Sequence, residues 1–332
     1  MDKMPEPKFP EVVSSSLRSS FNACHRKFYW EQIVGVVPKG ENIHFVFGGA
    51  YAHALEYFRR NYNDPALVGH PDRYNIAVAA GLEALILSYG HYEPDDRETK
   101  TFDRCVGAYI EYLYRYDPDK DHVQTSRGPG GRPRVEFSFT YTVDEVRHPV
   151  TGNPLIFSGR FDQLADYNGS LFVFDDKTTG QLGPKWADQW DLRSQFTSYC
   201  FGAQTADLPV VGAIVRGMGI LKTKFSTSEA IVARPQWMVD RWRDRLIWDL
   251  KRMVEAWESN YWPHTGEESG ACSHYGRCPY TDLCLSRFPE AYLGQLQPYR
   301  YSPLAKEGER AASLPGRFLR YDPAAGSSDS TS

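Results

Sequence analysis

The sequence predicts a mixed α/β fold with a helical N-terminal elaboration, and three observations carry that reading. Apolar residues recur at helical spacing through the N-terminal part of the chain. A Gly/Pro break then appears at Gly128-Pro129-Gly130-Gly131. Beyond it, runs of β-branched and aromatic residues alternate with helical patterns.

The elements follow in order. Ser14-Ser15-Ser16 offers an N-cap, and Leu17, Phe21, Cys24 and Phe28 continue at helical spacing. Further helices are expected over 49–61, 74–89 and 99–116. The stretch 122–135 carries Arg127, Arg132 and Arg134 with no acid, and reads as a basic loop. Strands are expected over 135–143, 155–166 and 170–177, a helix over 185–204, a strand over 210–222 and a long helix over 235–259. As domains, 1–12 is expected to be a flexible lead and 13–292 the folded unit, with a helical insertion near 62–121. The tail 293–332 ends in Gly-Ser-Ser-Asp-Ser-Thr-Ser and is expected to be largely disordered.

Composition bounds the function. Hydrophobic residues at 41% and aromatics at 14% are enough for a substantial core. No apolar run reaches the ~18 residues of a membrane helix, and 1–10 lacks the apolar core of a secretory signal, so no membrane partner is expected. A net charge of −4 argues against a clamp that grips duplex DNA by charge alone, but leaves room for an enzyme with an acidic metal site. Six cysteines without an export signal favour metal ligation over disulfides.

The most informative stretch runs from Ser158-Gly159-Arg160-Phe161-Asp162 to Asp175-Asp176-Lys177. Between them Asn168-Gly169 signals a two-residue type I′ hairpin. With Tyr167 opposite Ser170, that register sets Asp162 opposite Asp175. Facing carboxylates ~5 Å apart repel, so the arrangement calls for a cation. Oxygen ligands suit Mg²⁺ or Mn²⁺. Period-2 alternation puts Lys177 on the face of Asp175 and turns Asp176 away. An ammonium there orients a water and stabilises the charge on a phosphate in transit.

Two helical pairs add to this. Gly49 and His53 share a helix face, and a neutral imidazole completes a metal shell that carboxylates begin. Glu56 lies one turn on, as a neighbour to that shell. Gln195 and Tyr199 share another face and can bond a phosphate or hold Lys177. Trp186 and Trp190, and Cys105 and Cys200, read as core packing. Glu136, opening the strand before the hairpin, is a minor candidate.

Taken together, Gly159-Arg160-Phe161-Asp162 and Asp175-Asp176-Lys177-Thr178-Thr179 resemble the acidic core of the PD-(D/E)XK nuclease superfamily, in its RecB-like branch. Gly49-Ala50-Tyr51-Ala52-His53 resembles the branch's G-x-x-x-H helix, and Gln195-Phe196-Thr197-Ser198-Tyr199 its Q-x-x-x-Y helix. The likeness spans about Ser14 to Cys284 and implies a restriction-endonuclease-like core, a mixed central sheet flanked by helices. It implies His53, Asp162 and Asp175 as ligands of Mg²⁺ or Mn²⁺, with Lys177, Gln195 and Tyr199 beside them.

Cys272, Cys278 and Cys284 are spaced C-x5-C-x5-C, and Cys24 opens Cys24-His25-Arg26-Lys27-Phe28. This resembles the one-plus-three cysteines with which RecB-like members, including exonucleases of CRISPR adaptation and AddB-type nucleases, hold a [4Fe–4S] cluster. The common spacing is C-x2-C-x5-C, and His25 stands where Pro is usual. Four thiolates hold Zn²⁺ as well as iron–sulfur, so both stay open.

The resemblance implies a metal-dependent exonuclease on single-stranded DNA or DNA ends, acting in a bacterial or phage-infected cytoplasm. Its partners would be DNA and proteins of recombination, repair or CRISPR adaptation. Arg26, Lys27, Arg127, Arg132 and Arg134 are the candidate backbone contacts. The competing readings are a non-catalytic DNA-end-binding or scaffolding module and a zinc-stapled structural protein with an accidental D-x-K.

Overall fold

Ser14 caps the first helix as its place in the serine triplet predicts: its hydroxyl accepts from the Leu17 amide at 3.3 Å. The computed structural model describes residues 5–40, 42–90, 92–93, 98–273 and 276–298. The expected disordered tail therefore lies almost wholly outside the described residues. In chain order the elements are β1 (Val12–Ser14), α1 (Ser15–Ala23), α2 (His25–Phe28), a π turn (Tyr29–Val34), β2 (Val36–Pro38), α3 (Ile43–Tyr62), α4 (Arg73–Tyr89) and α5 (Phe102–Arg115). Then come β3 (Gln124–Thr125), β4 (Val135–Arg147), β5 (Pro154–Tyr167), β6 (Ser170–Thr179), α6 (Ser194–Gln204), β7 (Val210–Ile220) and β8 (Phe225–Ala233). The chain closes with α7 (Gln236–Glu258), α8 (Gly266–Ser269), α9 (Thr281–Leu285) and β9 (Leu296–Pro298).

The described residues divide into two units: those of 5–40 with 140–159 and 240–298, and those of 42–139 with 160–239. In the first, β1 runs parallel to the start of β5, and β2 pairs antiparallel with β9. Trp30, Val34, Val36, Tyr280, Leu283 and Leu296 form a small core there. The lead expected to be flexible is partly engaged: the Lys8 amide donates to Ile33 O at 2.8 Å, and Phe9 is buried against His148 and Trp257.

The second unit carries the mixed sheet. β5 and β6 are antiparallel, β6 and β7 parallel, and β7 and β8 antiparallel. A parallel pair needs a crossover, and α6 supplies it between β6 and β7. β7 is buried along nearly its whole length, as a strand covered on both faces must be. The apolar stripes of α3, α4 and α5 close a second core with Met218 and Ile220. Asn168 and Gly169 both sit at positive φ, 48° and 74°, as a type I′ turn requires.

Two expectations are corrected. The helix expected over 185–204 breaks into single turns before Ser194. A continuous helix would give the Trp190 carbonyl to the Ser194 amide. Instead that carbonyl accepts from the Arg193 amide at 3.2 Å and from the buried Arg234 guanidinium at 2.7 Å, which also donates to Thr197 Oγ1 at 2.9 Å. β8 was not anticipated, because its first half, Phe225-Ser226-Thr227-Ser228, is polar and its turn lacks Asn-Gly.

Two glycines seat the elements around β6. A Cβ on Gly202 of α6 would overlap the Phe139 ring of β4, and one on Gly217 of β7 would strike Trp186 at 2.5 Å. Gly202→Ala is therefore expected to cost about 1–3 kcal/mol by overpacking, read as a lower midpoint in urea unfolding.

Candidate active site

The hairpin register holds from Tyr167↔Ser170 to Gln163↔Phe174. One step beyond the paired residues, Asp162 reaches β6 through its side chain. The Asp176 amide donates to Asp162 Oδ2 at 2.7 Å, so the carboxylate of β5 is bound to the backbone of β6. Asp175 is buried, with its side chain 4% exposed, and pairs with the Lys177 ammonium, which is 32% exposed. Alternation thus puts Asp175 and Lys177 on one face, as expected.

Burial pushes the Asp175 carboxyl up to about 7; the Lys177 ammonium opposes this and the charge of Asp162 adds to it. Burial alone would lower Lys177, but Asp175 and then Asp162 hold its ammonium above the usual value. Positive charge is therefore short at the carboxylates even with Lys177 in place. A dication suits that deficit, and two carboxylate donors are the chemistry that Mg²⁺ or Mn²⁺ takes.

α6 lays two more groups alongside. Gln195 donates its amide to Tyr199 Oη at 2.6 Å. The Tyr199 phenol is raised well above its ordinary value by burial, then by Asp175; Gln195 opposes this, and Asp162 and Glu136 add to it. Those carboxylates are thus neighbours of the phenol, which stays a neutral donor. Glu136, at the start of β4, pairs with Arg160 at 2.7 Å and holds an unusual positive φ of 52°.

A family model described as the PD-(D/E)XK nuclease superfamily matches residues 12–285. The chain belongs to the PD-(D/E)XK nuclease superfamily. Membership implies a nuclease with DNA as substrate, and nucleases of this superfamily typically use Mg²⁺ or Mn²⁺. Among solved structures, one titled "Crystal structure of SSO0001" is 12% identical, over 65% of this chain and 90% of that one, with a TM-score of 0.26. No curated protein matches the chain.

In this PD-(D/E)XK chain Asp162, Asp175, Lys177 and Tyr199 lie together, with Gln195 on Tyr199. Among the described residues no group of three His, Cys, Asp or Glu side chains is arranged to hold a metal ion, His53 and the four candidate cysteines included. His53 Nδ1 is 2.8 Å from Ser88 Oγ on α4. Glu56 pairs with Arg60 one turn on, at 3.0 Å. Of the basic loop, Arg127 donates to Asn63 O and Oδ1 at 3.0 Å each, and Arg134 to Ser126 Oγ at 3.2 Å. Arg132 is exposed. In the first unit the Arg26 guanidinium lies over Tyr29 and Trp30, and Lys27 is half-buried. No helix among the described residues is long and apolar enough to cross a membrane.

The four candidate cysteine ligands all lie in the first unit and are neighbours. A Cβ on Gly266 would sit 3.0 Å from Cys24 Sγ and 3.2 Å from Cys272 Sγ, a tight fit that puts both sulfurs beside the same glycine. The Cys284 thiol is pushed up to about 11 by burial and then by Cys24 and Cys278, with Arg26 pulling it down and Cys272 adding a little. Cys272 is raised by burial, Cys24 and Cys278. Cys105 and Cys200 are buried thiols 3.8 Å from Phe47 O and 3.4 Å from Gly212 O. Burial raises each to about 12, the state of packed, inert cysteines.

Sequence reasoning missed one contact of this site. Asp176, turned to the far side of β6, is paired with Arg59 of α3 at 2.5 Å. The signal was present: Arg59 sits on the apolar face marked by Leu55, Phe58 and Tyr62, where a charge needs a partner.

Proposed function

We propose that the chain is a Mg²⁺- or Mn²⁺-dependent deoxyribonuclease of the RecB-like branch, acting as an exonuclease on single-stranded DNA or DNA ends. Recombination, repair or CRISPR-adaptation-like processing is the setting this reading gives it. The observation that carries it is the convergence of Asp162, Asp175 and Lys177 on one face of the β5–β6 hairpin, with Tyr199 alongside. Asp162 and Asp175 would hold the metal. His53 would join them through Nε2, since its Nδ1 has the outer hydrogen bond that ligating imidazoles keep. The metal supplies an acidified water and neutralises charge on the phosphate when bound.

The chain's own residues do the rest. Lys177, held beside Asp175 yet reaching solvent, orients the attacking water and contacts a phosphate oxygen. Tyr199, a neutral phenol set by Gln195, donates to the phosphate. Stripping divalent ions with a chelator should stop cleavage of labelled DNA, and adding Mg²⁺ or Mn²⁺ should restore it; cleavage unmoved by the chelator sinks the reading.

For the cysteines, we propose that Cys24, Cys272, Cys278 and Cys284 hold a [4Fe–4S] cluster that staples the two ends of the first unit, with Zn²⁺ the alternative. The donor set fits either, and the approach of Cys24 Sγ and Cys272 Sγ to the same glycine supports a shared centre. Anaerobically purified protein should be brown and contain iron and acid-labile sulfide in about equal amounts. Zinc without sulfide would select the alternative, and neither metal would remove the staple.

A further inference from the structure

Asp176 stands between Asp175 and Lys177 but faces the other way. There its carboxylate meets Arg59, whose guanidinium donates to Asp176 Oδ2 at 2.5 Å and to Tyr112 Oη at 2.7 Å. Both charged side chains are shut away from solvent, 7% and 2% exposed. The guanidinium lies over the Phe174 ring at 5.0 Å. Tyr112 is held from its other side by Arg216 at 3.3 Å, itself fixed by Asp121 and Glu229. Arg59 is thus set in a buried frame of helix α5 and strand β7, and grips the middle of the strand that bears the acidic site.

The backbone of Asp176 also works for that site, because its amide donates to Asp162 Oδ2 at 2.7 Å. The chain of contacts runs from Arg59 to the Asp176 side chain, and from the Asp176 amide to Asp162. We propose that Arg59 is a positioning residue for the metal-binding carboxylates. Through Asp176 it fixes the strand segment that presents Asp175 and Lys177 and the amide that aims Asp162. This rests on the metal-dependent nuclease reading above.

Energetics favour a role beyond holding the fold. A buried ion pair is weak evidence for stability, since a well-packed apolar pair does as well or better. What an apolar pair does not supply is direction. Arg59 Nη2 donates to both Asp176 Oδ2 and Tyr112 Oη, so the Asp176 side chain is tied to the frame that α5 supplies. The same contact ties β6 to α3, the helix that carries His53 less than two turns upstream.

The test compares full-length parent, Arg59→Met, Asp176→Leu, the double variant Arg59→Met/Asp176→Leu, and Arg59→Lys. Calorimetric Mn²⁺ binding to metal-stripped protein is read beside urea unfolding and the kcat and KM for DNA. Each single apolar variant should unfold more easily, because it strands a buried charge. The double variant should recover the parent's unfolding midpoint. It should still bind Mn²⁺ about 10–100-fold more weakly, with kcat lowered and KM for DNA unchanged.

A double variant that binds Mn²⁺ as tightly as the parent, with the parent's kcat, overturns the proposal and leaves a structural ion pair. Should the double variant not fold, Arg59→Lys decides. It keeps the charge but loses the rigid planar group that reaches Asp176 and Tyr112 from over the Phe174 ring, and is expected to weaken Mn²⁺ binding with the fold intact; unchanged binding overturns the proposal. A parent that binds no Mn²⁺ refutes the metal-site reading itself, which the variants of Arg59 cannot do.

Discussion

Asp175→Asn is expected to abolish cleavage while leaving the metal-free protein at least as stable as the parent above pH 7. The folded chain holds the Asp175 proton up to about 7, against an ordinary value of 3.8. Between those values the folded state binds a proton that the unfolded state has released, so stability falls as pH rises through the window. Above it the full cost of a buried carboxylate is present, and asparagine removes that cost. Losing the partner of Lys177 works in the opposite direction. That loss is small, because the Lys177 side chain is 32% exposed and keeps its water.

The gain should be on the order of 1 kcal/mol or more, read by thermal unfolding, and should shrink towards pH 4. Mn²⁺ should reverse the ranking. At ~100 times its dissociation constant it adds ~2.7 kcal/mol to the parent, and it should add nothing to the variant. A variant less stable than the parent at every pH, yet stabilised equally by Mn²⁺, would show that Asp175 serves the fold alone.

Lys177→Ala separates chemistry from metal binding. Its ammonium competes with a metal for Asp175, so the variant should bind Mn²⁺ at least as tightly as the parent. Cleavage should nonetheless fall by ~10²–10⁴-fold in kcat, the range for removing a group that acts on the transition state. KM for DNA should change little, because a single contact to one phosphate oxygen is a minor part of strand binding. Weaker metal binding with unchanged kcat would reassign Lys177 to holding the carboxylates.

Much of this site was legible because it follows local rules. Asn168-Gly169 set the hairpin, and the alternation from it placed Asp175 and Lys177 on one face and Asp176 on the other. The last step of the register was not legible. There the Asp162 carboxylate accepts the Asp176 amide, while its charge still bears on Asp175. Contacts distant in sequence were hidden as well. Arg234 reaches the Trp190 carbonyl at the helix break from forty-four residues away, and Arg59 reaches Asp176 across 117 positions. Sequence shows that a charge on an apolar face needs a partner, but not which one.

The charges of the 122–135 loop were less legible. Arginines gathered in sequence suggest a track for DNA, and two of them also bond within the protein, Arg127 to Asn63 and Arg134 to Ser126. A run of like charge describes composition, and the hydrogen bonds decide its use.

The central claim is that the Asp162–Asp175–Lys177 face cleaves DNA with a divalent metal. The most direct measurement is a cleavage assay on end-labelled single-stranded, duplex and circular DNA with Mg²⁺ or Mn²⁺. Metal-dependent loss of the linear substrates, single-stranded fastest, with circles intact is the predicted result, and the order of product release gives the polarity. Protein with its full metal complement that cuts none of these substrates would contradict the account.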